Sequence, residues 1–414
     1  MKPAQLRTLF AAAGIALGAA GCTLPAHPPA ASQAGRPALD AARFPQIDAA
    51  ILHAIGERRL PGAVFHLERG DAVYEQAYGH LDYEPDAAAV RTDTVFDAAS
   101  LSKVLATAPA ILMLAEEGRI DLDARLVHYF PECAGGGRDG ITIRHLLSHS
   151  SGLPAGLPRN PDWHGDAAAH ALACQQALTA PPGTLLRYSD VNYVLLGQLV
   201  QRVSGMRLDE FARRRIYAPL HMRDTGFLPL QRGVARALIA PTQKGRAGSA
   251  GAHGDLAPGQ VLQGEVHDPT ARRMDGVAGS AGVFTTAHDV ARFARMLLQG
   301  GELDGVRILS AASVRLMTTA QSPAGLAPRG LGMDIDSPYA RRPRGELYPV
   351  GSFGHTGFTG CVLWIDPGSR SFYVFLSNRV YPDDSSRVLE LYTRMGTLSA
   401  EAAGLVPKPV IAAE

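Results

Sequence analysis

The stretch Asp97-Ala98-Ala99-Ser100-Leu101-Ser102-Lys103 decides how the rest of the chain is read. An extended apolar segment (Thr94, Val95, Phe96) runs into it, and an Ala/Leu-rich helical pattern follows. Residues three apart on a helix share a face, with Cβ atoms about 5–6 Å apart. A hydroxyl and an amine held that close can exchange a proton. Ser100 would also stand at the helix start, where free N–H groups and the dipole favour developing negative charge. Helices carry Ser and Lys at this spacing by accident too, so the pair acquires meaning only from partners elsewhere in the chain.

Toward the N-terminus, Lys2 and Arg7 precede an apolar run from Leu9 to Ala20 that ends in Ala19-Ala20-Gly21-Cys22. A charged start, a short apolar core and small residues at the end predict a secretory signal over residues 1–21. The cysteine after Gly21 makes it resemble a bacterial lipoprotein signal, with Cys22 as the lipidated first residue of the mature chain, although Ala19 stands where such signals usually have Leu. An ordinary signal with a chance cysteine is the alternative. Residues 22–42, rich in Pro and Ala between Thr23 and Pro37, are expected to form a flexible tether.

The 414 residues carry a formal charge of +1, which gives no sign of nucleic-acid binding. Besides Cys22 the cysteines are Cys133, Cys174 and Cys361. No CxxC spacing occurs, so no metal site is expected, and an odd number leaves at least one thiol unpaired. Cys133 and Cys174 can bridge, but spacing does not decide it.

Periodicity predicts a helix over 44–58 and a hairpin of Ala63 to Leu67 with Ala72 to Ala77 about Arg69-Gly70-Asp71. The chain then reads as mostly helical to about residue 300, broken by a glycine-rich loop near Lys244 to Gly259. Leu331 to Ile335, Gly351 to Gly357, Cys361 to Ile365 and Phe372 to Ser377 read as antiparallel strands, with Asp366-Pro367-Gly368 as a turn and an amphipathic stretch from Ser386 to Gly396 behind them. The expected fold is α/β of the α+β kind. An antiparallel sheet (about 43–100 and 325–400) is flanked by helices, a helical subdomain occupies about 101–300, the domain covers 43–400, and a tail covers 401–414. A site would lie in the cleft between sheet and helices.

Two more segments carry usable chemistry. In Pro182-Gly183-Thr184-Leu185-Leu186-Arg187-Tyr188-Ser189-Asp190, a tyrosine on a loop before a helix becomes a proton carrier if a lysine lies beside it. Taken singly, Tyr188 reads better as a loop residue at a helix start. In Phe353-Gly354-His355-Thr356-Gly357-Phe358-Thr359-Gly360, glycines on an expected strand allow another backbone to come close. The N–H groups of Ser100 and Phe358 could then hold an oxyanion together; a simple bulge is the plainer reading of the same glycines.

Ser100-Leu101-Ser102-Lys103, Tyr188-Ser189-Asp190 and His355-Thr356-Gly357, in this order, resemble the three motifs of the class C β-lactamase, DD-peptidase and serine-esterase superfamily. The segments His145-Leu146-Leu147-Ser148-His149-Ser150-Ser151-Gly152-Leu153-Pro154 and Gly276 to Thr286 resemble it as well, so that the likeness spans about residues 45–395. Gly264-Glu265-Val266-His267-Asp268 and His355 to Gly360 are similar to an exported branch related to penicillin-binding protein 4B. The resemblance implies Ser100 as acylated nucleophile, Lys103 and Tyr188 as the proton-transfer pair and the amides of Ser100 and Phe358 as the oxyanion hole, with no cofactor. It also implies substrate binding by Asp190, His355, Thr356 and Gly357. Two departures stand out. Asp190 replaces the usual Asn and, as a carboxylate, only accepts hydrogen bonds, so that it either holds Lys103 as an ammonium, accepts from substrate, or caps its helix. His355 replaces the lysine of β-lactamases and attracts a carboxylate less. Arg379 offers a carboxylate contact or a surface ion pair. His267 and Asp268 either line the cleft or start a helix, and His145 and His149 read as core or hydrogen-bonding residues of the helical subdomain.

The expected activity is that of an exported, periplasmic, membrane-anchored serine hydrolase. It would act through an acyl-enzyme on D-amino-acid peptides of the cell wall, as a DD-carboxypeptidase does. The alternatives are a carboxylesterase, a weak β-lactamase, and a non-catalytic muropeptide-binding or penicillin-sensing protein. The partners expected are a peptide, ester or β-lactam substrate and the membrane, not nucleic acid.

Overall fold

The computed structural model describes residues 38–245 and 256–406. The expected signal, Cys22, the tether up to residue 37, residues 246–255 of the glycine-rich loop and residues 407–414 of the tail lie outside the described residues. Residues 38–42, assigned above to the tether, pack against the domain instead. Asp40 caps a 3₁₀ turn at Ala41–Arg43, and its amide donates to the Ala402 carbonyl at 2.8 Å.

Five antiparallel strands form the main sheet: β1 (Gly62–Arg69), β2 (Ala72–Gly79), β3 (Phe353–Gly357), β4 (Cys361–Asp366) and β5 (Ser371–Ser377), in the spatial order β2-β1-β5-β4-β3. The hairpin β1–β2 therefore joins the C-terminal strands through β1 and β5, with Ala63 opposite Ser377 and Phe65 opposite Phe375. Strands β1, β4 and β5 are buried almost throughout because both of their faces are covered, and the buried His66 and Glu68 of β1 are paired with each other and with Arg295. Ala63, Phe65, Trp364 and Tyr373 face helices α1 (Phe44–Gly56) and α5 (Leu389–Ala402), where Ile47, Ile51, Met395 and Leu398 close one core. Val64, Leu363, Val374 and Leu376 face the other way, into a larger core shared with the helical middle of the chain. That middle includes α2 (Ala108–Glu116), α3 (Asp190–Ser204) and α4 (Ala287–Leu298).

Leu331 to Ile335, expected as a strand, makes only isolated bridges: Asp334 pairs with Gly354 and with Arg329. Gly332, at φ 105°, turns the segment back, and Arg329 donates to Asp334 and to the Gly332 carbonyl within that turn. The helix expected from Ser100 is also irregular. A 3₁₀ turn at Ala99–Leu101 and a π turn at Lys103–Thr107 precede the regular α2.

Cys133 and Cys174 are joined by a disulfide that closes a loop of 41 residues, and Cys361 is a buried free thiol. Cross-linking a loop of that length stabilises a fold by about 2–4 kcal/mol. Cys174→Ser should lower the thermal midpoint by several degrees, and a reductant should do the same to the parent protein. Equal midpoints for oxidised protein, reduced protein and variant would show that the bridge carries no stability.

Candidate active site

Ser100 sits at the bend between the short strand Phe96–Asp97 and α2. The bend is held in an unusual form, since Ala99 has φ 46°, a conformation disfavoured for a residue with a side chain. Asp97 holds it there. One carboxylate oxygen accepts from the Ala99 amide at 2.8 Å and the other from the His267 amide at 2.7 Å, while the Asp97 carbonyl accepts from Thr359 Oγ1 at 2.6 Å. Asp97 thus ties the Ser100 bend to the loop carrying His267 and to the turn after β3. Gly357 completes the junction: a Cβ there would lie 2.4 Å from the Ala98 carbonyl oxygen, so only glycine lets β3 come this close to the bend.

Lys103 is fully buried, one turn beyond Ser100. Its Nζ donates to Ser100 Oγ at 3.0 Å and to the Ser280 carbonyl at 2.9 Å, and lies 2.7 Å from Asp190 Oδ1. Burial alone would pull its pKa down, but the Asp190 carboxylate and the Tyr188 oxygen outweigh burial and hold it above the ordinary lysine value. Lys103 is therefore an ammonium at neutral pH. Asp190 is the first residue of α3, whose start is capped by Ser189, its hydroxyl accepting from the Asn192 amide. The capping role belongs to Ser189, and the Asp190 carboxylate reaches Lys103.

The Tyr188 ring lies 4.9 Å from Lys103 Nζ, and its buried hydroxyl faces Ser100 and Lys103 without a well-aligned partner. Burial raises its pKa, with the Lys103 charge opposing. His149, read above as a core or hydrogen-bonding residue, is both, and it also touches this site. Its ring stacks on Tyr188 with centroids 4.4 Å apart, and its Nδ1 accepts from the Ser189 amide at 3.1 Å. His145 instead belongs to a helix start, its Nδ1 facing the Thr142 amide at 3.3 Å.

His355 lies 6.0 Å from Tyr188, centroid to centroid, with Nδ1 2.7 Å from the Thr356 carbonyl. Burial and the nearby Arg329 and Lys103 charges push the pKa of both His149 and His355 well below the ordinary histidine value, so both rings are neutral. His355 must then donate through Nδ1, which leaves Nε2 as a buried acceptor without a partner. Asp268 caps the helix Pro269–Arg273 through the Ala271 amide at 2.7 Å, and the His267 ring stacks on Phe358.

These groups line a cleft of about 590 Å³ bounded by Ser100, Tyr188, His355, Thr356, Phe358 and Arg379, among others. Ser100, Tyr188, His355, Thr356, Gly357 and Phe358, from three segments of the chain, line it, with Lys103 bonded to Ser100 and Asp190 paired to Lys103 beside them. Asp97, His149, Arg329 and the Ser280 carbonyl were not assigned to the site from sequence. His149 and Ser280 lie in the two further segments that resemble the superfamily, which was the signal available for them, whereas Asp97 and Arg329 left none. Away from the cleft, Cys133, Cys174 and His170 bring three metal-ligating side chains together, but the two sulfurs are bonded to each other.

Residues 47–394 match the model of the Beta-lactamase family. A protein of Escherichia coli strain K12 named "Putative D-alanyl-D-alanine carboxypeptidase" is 34% identical over 308 residues, which is 70% of each chain. The crystal structure of a penicillin-binding protein homologue from Caulobacter crescentus superposes with a TM-score of 0.67 at 22% identity, covering 88% of this chain and 98% of that one. EstCE1, described as a hydrolase with promiscuous acyltransferase activity, superposes with a TM-score of 0.66 at 23% identity, over 86% and 98% of the two chains.

Burial raises the pKa of Asp97 to about 6, against the two amides that favour its charged form. As the pH falls through 6 the carboxylate takes up a proton and one acceptor for the Ala99 and His267 amides is lost. Ester hydrolysis should therefore decline below pH 6. Asp97→Asn should lower kcat about ten- to hundredfold, the scale expected for a small misplacement of a reacting group, and remove the step near pH 6. Rates against pH with p-nitrophenyl acetate check this, and an unchanged kcat with an unchanged acid limb would show that Asp97 does not hold the serine in place.

Proposed function

Because this chain belongs to the Beta-lactamase family, and is a serine hydrolase by that membership, we propose that Ser100 attacks a carbonyl and carries the acyl group as a covalent ester, which water then releases. The observation that carries the reading is the direction of the hydrogen bond between Lys103 Nζ and Ser100 Oγ at 3.0 Å. The ammonium donates, so the proton of the serine hydroxyl is turned elsewhere, and Tyr188 is the group that faces it. Tyr188 accepts that proton as phenolate, then returns it to the leaving atom as the tetrahedral intermediate collapses. Lys103, held charged by Asp190, favours the phenolate and the developing alkoxide. The amides of Ser100 and Phe358 hold the oxyanion.

The substrate class we propose is a D-amino-acid peptide of the cell wall, with loss of the terminal residue. It is supported by a relative at 34% identity whose name refers to D-alanyl-D-alanine carboxypeptidase and by an edge strand whose open positions, 355–357, can pair with an extended peptide. A second reading, carboxylesterase, is favoured by His355: a neutral ring gives a leaving-group carboxylate little attraction. We also propose export and a lipid anchor on Cys22, on the strength of the sequence Ala19-Ala20-Gly21-Cys22.

Ser100→Ala should abolish release of D-alanine from N-acetylated D-Ala-D-Ala peptides and the turnover of p-nitrophenyl esters. Intact-protein mass spectrometry of the parent should show the acyl adduct on Ser100, and unchanged turnover in the variant would refute the mechanism. Since burial raises the pKa of Tyr188, its phenolate grows with pH, and kcat/KM should climb across the alkaline range with a slope approaching one. A profile flat from pH 7 to 10 would remove Tyr188 as base. In cells, labelled palmitate should enter the protein and fail to enter Cys22→Ala; equal labelling of both would dismiss the anchor.

A further inference from the structure

The cleft extends past Ser100 along β3 in two directions, and the two ends differ in charge. On one side stand Tyr188 and His355. The cations nearest that end are already satisfied: Lys103 is paired with Asp190, and Arg329, fully buried, with Asp334. On the other side come Phe358, the turn at Gly360 and two arginines, Arg379 and Arg387, the only lysine or arginine side chains that line the cleft among the described residues.

Arg379 is built into this end. Its Cζ lies 4.4 Å above the Phe358 ring, its Nη1 donates to the Ser386 carbonyl at 2.9 Å, and Ser386 Oγ returns a bond to the Arg379 carbonyl at 2.7 Å. The reciprocal pair folds residues 379–387 back on themselves and brings Arg387 onto the same wall. Gly360, at φ 111°, makes the room, since a Cβ there would lie 2.9 Å from Arg379 Cγ. Burial, helped by the Arg387 charge, depresses the pKa of Arg379, with Tyr392, Asp384 and Cys361 opposing. Asp384 lines the same wall, so this end of the cleft is lined by two guanidinium groups and one carboxylate. Guanidinium groups bind planar anions through paired hydrogen bonds.

The reading of Ser100 and Tyr188 given above, on which this rests, orients the substrate. The group that returns a proton to the leaving atom must stand on the leaving group's side, which is the side of Tyr188 and His355. The acyl portion then lies toward Phe358. We propose that Arg379 and Arg387 form a subsite for a carboxylate carried on the acyl portion of the substrate, so that the enzyme selects acyl donors with an acidic side chain over neutral or basic ones.

Three thioesters differing only in the acyl side chain provide the test: N-acetyl-L-glutamyl-D-alanine, its glutaminyl analogue and its lysyl analogue, each on methyl thioglycolate, with thiol release followed by a thiol-reactive dye. The neutral leaving group keeps the other end of the cleft out of the comparison. The glutamyl compound should exceed the glutaminyl one in kcat/KM by about tenfold, the value of one partly solvated charged hydrogen bond, and the lysyl one by more, with the difference shrinking as salt is raised. Arg387→Gln, at an exposed position, should bring the three rates together, and Arg379→Lys, which keeps the charge but loses the planar fork, should narrow them. Equal rates in the parent, or a glutamyl preference that survives in both variants, overturns the subsite while leaving the serine mechanism intact. Failure of the parent to turn over any of the three, with Ser100 unacylated, overturns the mechanism and the subsite together.

Discussion

A lysine ammonium buried without solvent is the constraint around which this molecule is arranged. Removing such a charge from water costs several kcal/mol unless the interior supplies close, well-directed partners. Lys103 has Asp190, the Ser280 carbonyl and Ser100 Oγ, and the rings of Tyr188 and Tyr193 lie at 4.9 and 5.6 Å. These partners come from the bend after Phe96–Asp97, the start of α3 and the Gly276–Thr286 segment. Any rearrangement that withdrew one of them would leave the charge exposed to the apolar core. The same compensation that stabilises the ammonium fixes the position of the serine hydroxyl, so stability and reactivity draw on one set of contacts.

Asp190 changes the character of that set. An asparagine there would share its amide between donor and acceptor roles, whereas a carboxylate commits Lys103 to the charged state. The amine then holds its proton at neutral pH. His355 makes the complementary change at the strand: a neutral ring that donates to the Thr356 carbonyl and presents an unpartnered nitrogen replaces a cation. The cations nearest the serine are therefore the buried Lys103 and Arg329, each paired with a carboxylate, and β3 carries none.

The features legible in the sequence are those whose cause is local. Alternation and turn residues disclosed β1, β2, β4 and β5, and Ser100 with Lys103 declared themselves by spacing. Tyr188 and His355 were ambiguous singly and became readable only through their order along the chain. Leu331 to Ile335 has the apolar alternation of a strand, yet the buried Arg329–Asp334 pair and the turn at Gly332 take precedence, and no local pattern announces a pairing of that kind. His149 read as a core or hydrogen-bonding residue, and it is both, but its stacking on the Tyr188 ring is a contact between distant segments that the sequence does not announce. Asp97 was visible as a residue and silent as a clamp, since its two partners, the amides of Ala99 and His267, are identical in every sequence. Backbone groups carry no sequence signature, and the site leans on them heavily.

The order of strands also governs when the cleft can exist. Strand β1 is made early and β5 late, yet each is the other's neighbour in the sheet, and the bend bearing Ser100 takes its shape from Thr359 and Gly357 near the chain's end. Pairings between such distant segments form slowly because the intervening chain must be ordered first. A nascent chain therefore holds the serine and lysine without the geometry that brings them together with Tyr188 and β3. The cleft arises with the last strands, as a property of the finished polypeptide.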